Sequence, residues 1–383
     1  MRPYFLTADI GTTSLKSACI DSRGKLLSYS RVLIDKYKPA SAEKLSANQW
    51  LLAFAESVME LCAQHKKFSP EAVCVSGNGP TLVPIDSNEM VIGLLHWKDK
   101  NFLPSPPDSQ SFFLPRAAWY KKEFPESYNL CRYFFSSHEW LLYKLGSDPV
   151  TSLPSSEYEK YYWDKRQCDI FNLDIEKFPP FVKMGTITGR ISNEAALEFG
   201  LPSGIPLISG APDFISAIIG TGVLEPGMVC DRAGSSEGFN YCALSDSISP
   251  DILRVNDLRV LPHYKEGLIN VSTLVQSGHL YGYDHNTEIW GKMISSAINK
   301  LTVSGLPVNK MIVSGGQGKI AKYNQLKANM TGVTLAIPEI TDAELTGNAV
   351  LAACALGMVP DVKKGAKKMV RIKEIFYPNK LKT

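Results

Sequence analysis

Cysteine is scarce: eight in 383 residues, at 19, 62, 74, 131, 168, 230, 242 and 354, with no C-x-x-C pair among them. A chain this long with so few cysteines is not a disulfide scaffold, and reduced thiols in a cytoplasmic setting are expected. Net charge is also small, +3 at pH 7, which gives no ground for nucleic-acid binding. No uncharged apolar run reaches the roughly 18 residues that a membrane-crossing helix needs, so no membrane contact is expected. The segment from Met1 to Leu6 meets Asp9 before an apolar leader core could build, so no secretory signal is expected. A Walker-type phosphate loop is missing as well. Gly315 to Lys319 begins like one, but the G-x-x-x-x-G-K-[ST] spacing does not occur and Ile320 follows the lysine. His279, Asp284 and His285 lie close in sequence, with Tyr281 and Tyr283 between them. Their spacing matches no common metal-ligand pattern, and a loop is the expected state of that stretch.

The chain is long enough for two domains with separate cores. Its basic residues are uneven. From Asp361 to Thr383 there are eight Lys/Arg and two acids, a local +6, leaving −3 for the rest. A solvated helix face is the expected form of that tail. Tyr4 to Ala8, Leu15 to Asp21 and Lys25 to Val32 read as strands. Trp50, Leu51, Phe54, Val58 and Leu61 recur at helical spacing. Ala72 to Ser76 reads as a buried strand, Leu82 to Asp86 and Val91 to Trp97 as two more, and Phe102 to Pro115 as a Pro- and Ser-rich loop. Composition changes at Gly200-Leu201-Pro202-Ser203-Gly204. A boundary there gives domains 1–204 and 205–383. The second half repeats the design of the first: a strand, a small hydroxyl-bearing turn with glycine, and another strand. This weak duplication points to two α/β halves and a cleft between them, where small-molecule sites concentrate.

The turns carry the chemistry. Gly11-Thr12-Thr13-Ser14 offers backbone N–H groups and hydroxyls to an anion, and its glycine permits close approach. Asp9 would repel a phosphate oxygen directly, but it suits a hydrated Mg²⁺ that binds one. Gly234-Ser235-Ser236 repeats the small hydroxylated turn. Gly315-Gly316, at a strand end before a helix, lets backbone lie flat against a base or ribose. Asp213 follows a buried strand and opens a helix. It is either an N-cap, worth about 1 kcal/mol, or a general base, being ionised at neutral pH.

In order, these motifs resemble the FGGY family of carbohydrate kinases, along nearly the whole chain. Asp9 to Lys16 resembles the family's opening phosphate motif. Val75 to Pro80 stands at its S-G-Q strand end, and Leu95 to Asp99 is similar to its W-x-D sugar segment. His138 to Leu145 resembles its K-D-Y-L-x-Y-x-L-T-G helix. Gly200 to Asp213 resembles G-L-P-x-G-x-P-V-x-x-G-x-x-D, whose last residue is the catalytic base. Gly234-Ser235-Ser236 stands for G-T-S, and Ser314-Gly315-Gly316 with Asn324 to Asn329 for the adenosine-side glycine pair and helix.

The resemblance implies an α/β, two-domain actin-like and ribonuclease-H-like ATPase fold with an interdomain cleft. It implies transfer of phosphate from ATP, with Mg²⁺ on Asp9, to a hydroxyl of a small sugar or polyol. Asp213 is then the base, also facing the acceptor with Asn78, Trp97 and Asp99. Gly11, Thr12, Thr13, Gly234, Ser235, Ser236, Gly315 and Gly316 face the nucleotide. His96 is read as packing. The sequence departs from the pattern at Asn101, Pro212, Asn329 and Asp342, and at Ile320-Ala321, where an adenosine-side Asn is missing. The Arg-Glu pair of glycerol kinases and the Met-His pair of xylulose kinases are both absent after Asn78. A pentulose such as xylulose is expected by overall likeness. The interval from Gly234 to Gly315 is shorter than in the family, where it contributes to dimer contacts, so a homodimer stays open. The shortening also leaves open a degenerate member that binds sugar or nucleotide without transferring phosphate.

Overall fold

The computed structural model describes residues 2–38, 45–234, 237–275 and 287–379. The chain divides into two compact units: Met1–Asp213 with Leu351–Met358, and Phe214–Val350 with Val359–Thr383. The division thus falls at the first residue of a helix, Asp213–Thr221, and not within the Gly200 to Gly204 stretch.

The first unit is built on a six-stranded sheet in the order β3-β2-β1-β4-β10-β9. Its strands are β1 (Tyr4–Ile10), β2 (Ser14–Asp21), β3 (Leu26–Leu33), β4 (Val73–Gly77), β9 (Ile187–Arg190) and β10 (Pro206–Pro212). Shorter strands β5 (Val83–Asp86) and β6 (Cys131–Phe135) form one ribbon, and β7 (Thr151–Leu153) and β8 (Phe181–Lys183) another. β4 lies parallel to both β1 and β10. Strands flanked on both sides need apolar residues on both faces, and every residue of β1 and β4 is buried. The helix Asn48–Ala63 turns Trp50, Phe54, Val58 and Leu61 into this core. There the Trp50 ring meets the edge of Trp140, and Phe54 meets Phe199.

One expected strand does not form. Val91 to Trp97 makes only isolated bridges, Leu82 with Leu95 and Ile85 with Val91. Pro84 lies between those bridges and has no N–H to continue a ladder; its carbonyl accepts from the Ile92 amide. The other edge of β5 pairs with β6 instead.

The second unit holds a seven-stranded sheet in the order β13-β14-β12-β11-β15-β16-β17. These are β11 (Val229–Ala233), β12 (Glu237–Leu244), β13 (Arg259–Pro262), β14 (Leu268–Val275), β15 (Lys310–Ser314), β16 (Thr334–Pro338) and β17 (Ile372–Phe376). Its inner order repeats that of the first unit. An antiparallel hairpin, β11 with β12, adjoins a parallel strand, β15, which adjoins a second parallel strand, β16. The duplication read from two small turns is thus a duplication of sheet topology. Among the described residues no helix is long and apolar enough to cross a membrane. In the helix Val362–Met369 the lysines 363, 364, 367 and 368 are exposed, while Gly365, Ala366 and Met369 are buried.

The second unit carries a buried ionic cluster with no forewarning in the motifs. Lys327, on the helix Ala321–Thr331, donates to Asp231 of β11 at 2.6 Å and to Glu237 of β12 at 2.5 Å. Both carboxylates are fully buried, and the Trp290 indole N–H also donates to Glu237. Burial pushes the Asp231 carboxyl up, and the Lys327 ammonium opposes that rise. Burial works against the Lys327 charge, but the two carboxylates outweigh it and raise its pKa. Replacing Lys327 by Met leaves buried acids without their cation, and should destabilise the protein by about 3–5 kcal/mol. The Asp231 carboxyl would then rise further above its unfolded value. Stability linked to it is full below the unfolded carboxylate pKa of about 4 and is lost as pH climbs through the folded value. Urea unfolding should therefore show a larger loss at pH 8 than at pH 5; equal losses at both would contradict the assignment.

Candidate active site

The turn between β1 and β2 is closed by the Gly11 amide donating to the Ser14 carbonyl at 3.1 Å. A side chain at Gly11 would place its Cβ only 2.9 Å from that carbonyl oxygen, so the tight turn needs glycine. The Thr13 carbonyl is held by the Ile34 amide, and Arg31 donates to the Ser14 hydroxyl. Asp9, one residue before the strand end, is buried, and one of its carboxylate oxygens accepts from the Ser76 hydroxyl at 2.8 Å. That bond crosses from β1 to β4, where Asp9 and Ser76 are paired.

Asn78 follows β4 and is only 3% exposed. Its side-chain amide donates to the carbonyls of Ile10 and Gly11, both at 3.1 Å, while its oxygen accepts from the Thr81 hydroxyl at 2.8 Å. The residue expected to face the acceptor also ties the Gly11 turn to β4. Its neighbour Gly77 lies so close to the helix Ser137–Leu145 that a Cβ there would stand 2.4 Å from the Ser137 hydroxyl. The same hydroxyl donates to the Asn78 carbonyl.

The segment His96 to Asp99 approaches from the other side. The Trp97 amide donates to the Thr81 hydroxyl, and its indole N–H donates to the Thr12 hydroxyl, both at 3.2 Å. Trp97 is 37% exposed, and the Lys98 ammonium lies over its ring, 5.7 Å from the centroid. His96 is buried, and burial lowers its pKa despite the neighbouring Asp99. It is neutral at pH 7 and packs beneath the segment. Arg116, from the first turn of the helix Leu114–Glu123, donates to the carbonyls of His96 and Asp99 at 3.0 Å and of Trp97 at 2.8 Å. Sequence reasoning missed this residue. Its signal was an arginine in a first helical turn, where the dipole disfavours a cation, among otherwise apolar Leu114, Pro115, Ala117 and Ala118.

Asp213 stands where β10 passes into the helix Asp213–Thr221. The pairing of β10 with β4 slips between Ser209 and Pro212, and then resumes with Pro212 opposite Gly77. Gly210 makes the slip feasible, since a Cβ there would lie 1.8 Å from the Val75 carbonyl oxygen. A bulge of this kind re-aims the strand end. Asp9, the Gly11–Thr13 turn, Asn78 and Asp213 therefore emerge from the carboxyl ends of three adjacent strands, where open α/β sheets bind ligands.

The second unit repeats part of this arrangement. Gly234 follows β11, and Gly315 follows the parallel neighbour β15. Gly315 has φ of +90°, and a Cβ there would fall 2.5 Å from the Ala233 carbonyl oxygen. Gly316 has open space where a side chain would be. Ser235 and Ser236 lie outside the described residues, as do His279, Asp284 and His285. Lys319 pairs with Asp342 at 3.0 Å, and Asn324 donates to the Gly318 carbonyl.

The sequence matches the N-terminal domain of the FGGY family of carbohydrate kinases over residues 4–102 and 109–220, and its C-terminal domain over 289–356. The chain belongs to this family. It is an ATP-dependent carbohydrate kinase. A xylulose kinase from Staphylococcus epidermidis is 22% identical over 466 residues, which take in 99% of this chain and 93% of that protein. In fold, a xyloylose kinase from Brucella ovis matches with a TM-score of 0.78 at 15% identity, covering 98% of this chain and 95% of that one. The glycerol kinase of Plasmodium falciparum with ADP gives the same TM-score at 12% identity, covering 98% and 94%. The fold is therefore that of the actin-like ATPases, in two domains. Because the same fold hosts a xyloylose kinase and a glycerol kinase, it does not by itself choose the acceptor.

Magnesium fits the donor set of the first unit. Among the described residues there is no group of three or more His, Cys, Asp or Glu that could hold a metal. Mg²⁺ does not require such a cage. It keeps several waters and binds through one or two carboxylates plus substrate phosphates, and Asp9 offers one.

The Asn78 contacts make the kinase testable at that position. Asn78→Asp replaces two N–H donors by an oxygen facing two carbonyls. It should cost about 1–3 kcal/mol of stability and raise KM for ATP by about tenfold, with a smaller change for the acceptor. Steady-state kinetics with each substrate varied would check this. A rise confined to the acceptor KM would make Asn78 a sugar contact and not a tether.

Proposed function

We propose that this kinase transfers the γ-phosphoryl group of ATP to a hydroxyl of a small sugar or polyol, with a pentulose such as xylulose the first candidate and Asp213 as general base. The observation that carries the reading is the strand register. Ile10 and Pro212 both pair with Gly77 of β4, so the phosphate turn and Asp213 flank one strand end.

Asp213 accepts the proton of the acceptor hydroxyl as that oxygen attacks the γ-phosphorus in line, and the phosphorus–oxygen bond to ADP breaks. The transition state is loose, so orientation and charge stabilisation dominate the rate. The Gly11 to Thr13 turn contributes donors to the phosphates, and Gly234 with Ser235 and Ser236 a second set. Gly315 and Gly316 leave room for the nucleoside. Asp9 would hold Mg²⁺, which supplies positive charge against the phosphate oxygens when bound. Trp97 and Asp99 contact the acceptor: the part-exposed indole packs on a sugar ring, and the carboxylate accepts from its hydroxyls. The likeness to a xylulose kinase over nearly the whole chain supports a pentulose, and the Gly79-Pro80 pair after Asn78 speaks against glycerol.

A panel of ketoses, aldoses, sugar acids and polyols with coupled ADP detection tests the reading. At least one acceptor should stimulate ADP release, and Asp213→Asn should lower kcat by about 10²–10⁴, the range for loss of a general base. ATP binding without stimulation by any acceptor would favour the degenerate alternative. Unchanged turnover with lowered stability in Asp213→Asn would make that residue a helix cap.

A further inference from the structure

Arg116 is a buried cation whose hydrogen bonds go to backbone. The residue is 6% exposed, and among the described residues no carboxylate lies within ion-pair distance of it. Its guanidinium makes three hydrogen bonds, to the carbonyls of His96, Trp97 and Asp99. The Phe102 ring covers it, 5.6 Å from guanidinium carbon to ring centroid. A buried charge is costly unless dipoles or counter-charges offset it; here the carbonyl dipoles do so, and the charge of Asp99, beyond ion-pair distance, adds to them. The helix that carries Arg116 gains nothing from a cation in its first turn. Its placement therefore serves the segment it grips. A planar fork with several fixed donors suits that task, because it can hold successive carbonyls in one orientation.

The gripped segment is itself tied to the phosphate turn. Trp97 donates through its backbone amide to Thr81 and through its indole to Thr12. Thr81 in turn donates to Asn78, which holds Ile10 and Gly11. Every member of this chain of contacts lies in the first unit.

We infer that Arg116 is a positioning residue that fixes the acceptor-binding segment His96 to Asp99, and that the Trp97–Thr12 hydrogen bond makes that segment and the phosphate turn one preorganised piece. The inference rests on the reading of Trp97 and Asp99 as acceptor contacts. The mechanical part, the grip on the segment, stands on the hydrogen bonds alone. Arg116 itself touches neither substrate.

Amide hydrogen exchange and steady-state kinetics on the full-length protein test it together. In Arg116→Met, exchange of the amides from Leu95 to Asp99 should speed up by tenfold or more. KM for the acceptor should rise about tenfold to a hundredfold, the equivalent of one or two charge-assisted hydrogen bonds. KM for ATP should move by less than about threefold, since Asn78 still holds the turn. Arg116→Lys should recover part of the loss, because an ammonium keeps the charge but lacks the fork. If Arg116→Met does not fold, Arg116→Gln takes its place, with faster exchange from Leu95 to Asp99 and a raised acceptor KM expected. Unchanged exchange from Leu95 to Asp99 in the variant that folds overturns the proposal, as does an equal rise in both KM values. If no acceptor stimulates turnover of the unmutated protein, the functional reading fails, while the exchange result still decides the grip.

Discussion

The site depends on the parallel seating of β4 between β1 and β10. That pairing requires two close backbone approaches, and glycine permits each. Gly210 lets β10 bulge against Val75, and Gly77 lets the helix Ser137–Leu145 sit on the end of β4. With the three strands aligned, the functional groups need no long loops to meet. Asp9 and Ser76 bond directly across the β1–β4 ladder, Asn78 reaches back to Ile10 and Gly11, and Pro212 delivers Asp213 opposite Gly77. Such a site is built from strand ends, whose positions the core fixes.

Three buried ionisable groups hold the surroundings together, each by a different means. Arg116 is offset by carbonyls. Lys327 is offset by two carboxylates that bracket the β11–β12 turn. Glu139 is a buried carboxylate, pushed up to about 7 by burial, with the amides of Ser152 and Ser136 opposing the shift. All three hold chain segments that are not adjacent in sequence. Glu139 closes the capping box of its helix with Ser136, and also binds the start of β7 through Ser152. Its raised folded pKa means that the stability linked to it is full below the ordinary carboxylate range and declines as pH rises toward 7. The ionic features of this fold therefore bear on the geometry of connections, while the apolar clusters in each unit supply the bulk of the burial.

Much of this was legible in the sequence. Local signals worked where a segment's own chemistry decided its conformation. The Gly11 turn, the Trp50 to Leu61 stripe, the strand before Gly315 and the helix from Ala321 to Thr331 all form as expected. Misreadings arose where a distant partner decided. Val91 to Trp97 has strand composition, but Pro84 opposite interrupts the ladder and β6 takes the other edge of β5. At Asn78 the distant partners are additional to the expected role: its amide donates to Ile10 and Gly11, which no local pattern reveals. Arg116 and Lys327 were overlooked for the same reason: nothing near them in sequence names their partners. Arg116 alone leaves a clue, a cation in a first helical turn among apolar neighbours; Lys327, in the polar helix Ala321–Thr331, leaves none.

The shortened second unit bears on which half of the chemistry is conserved in form. The interval from Gly234 to Gly315 still supplies β12, β13, β14 and the helix Thr287–Val303, and the sheet they join has seven strands. That framework carries Gly234 and Gly315 directly after the adjacent parallel strands β11 and β15. The Asp231–Glu237–Lys327 cluster pins that framework from beneath, with one acid on each strand of the hairpin and the cation on the helix that follows β15. A hairpin so fixed does not depend on a large outer layer for its shape. Trp97, Asp99 and Arg116 all lie within the first unit, so the grip of Arg116 on the His96 to Asp99 carbonyls is made without any residue of the second.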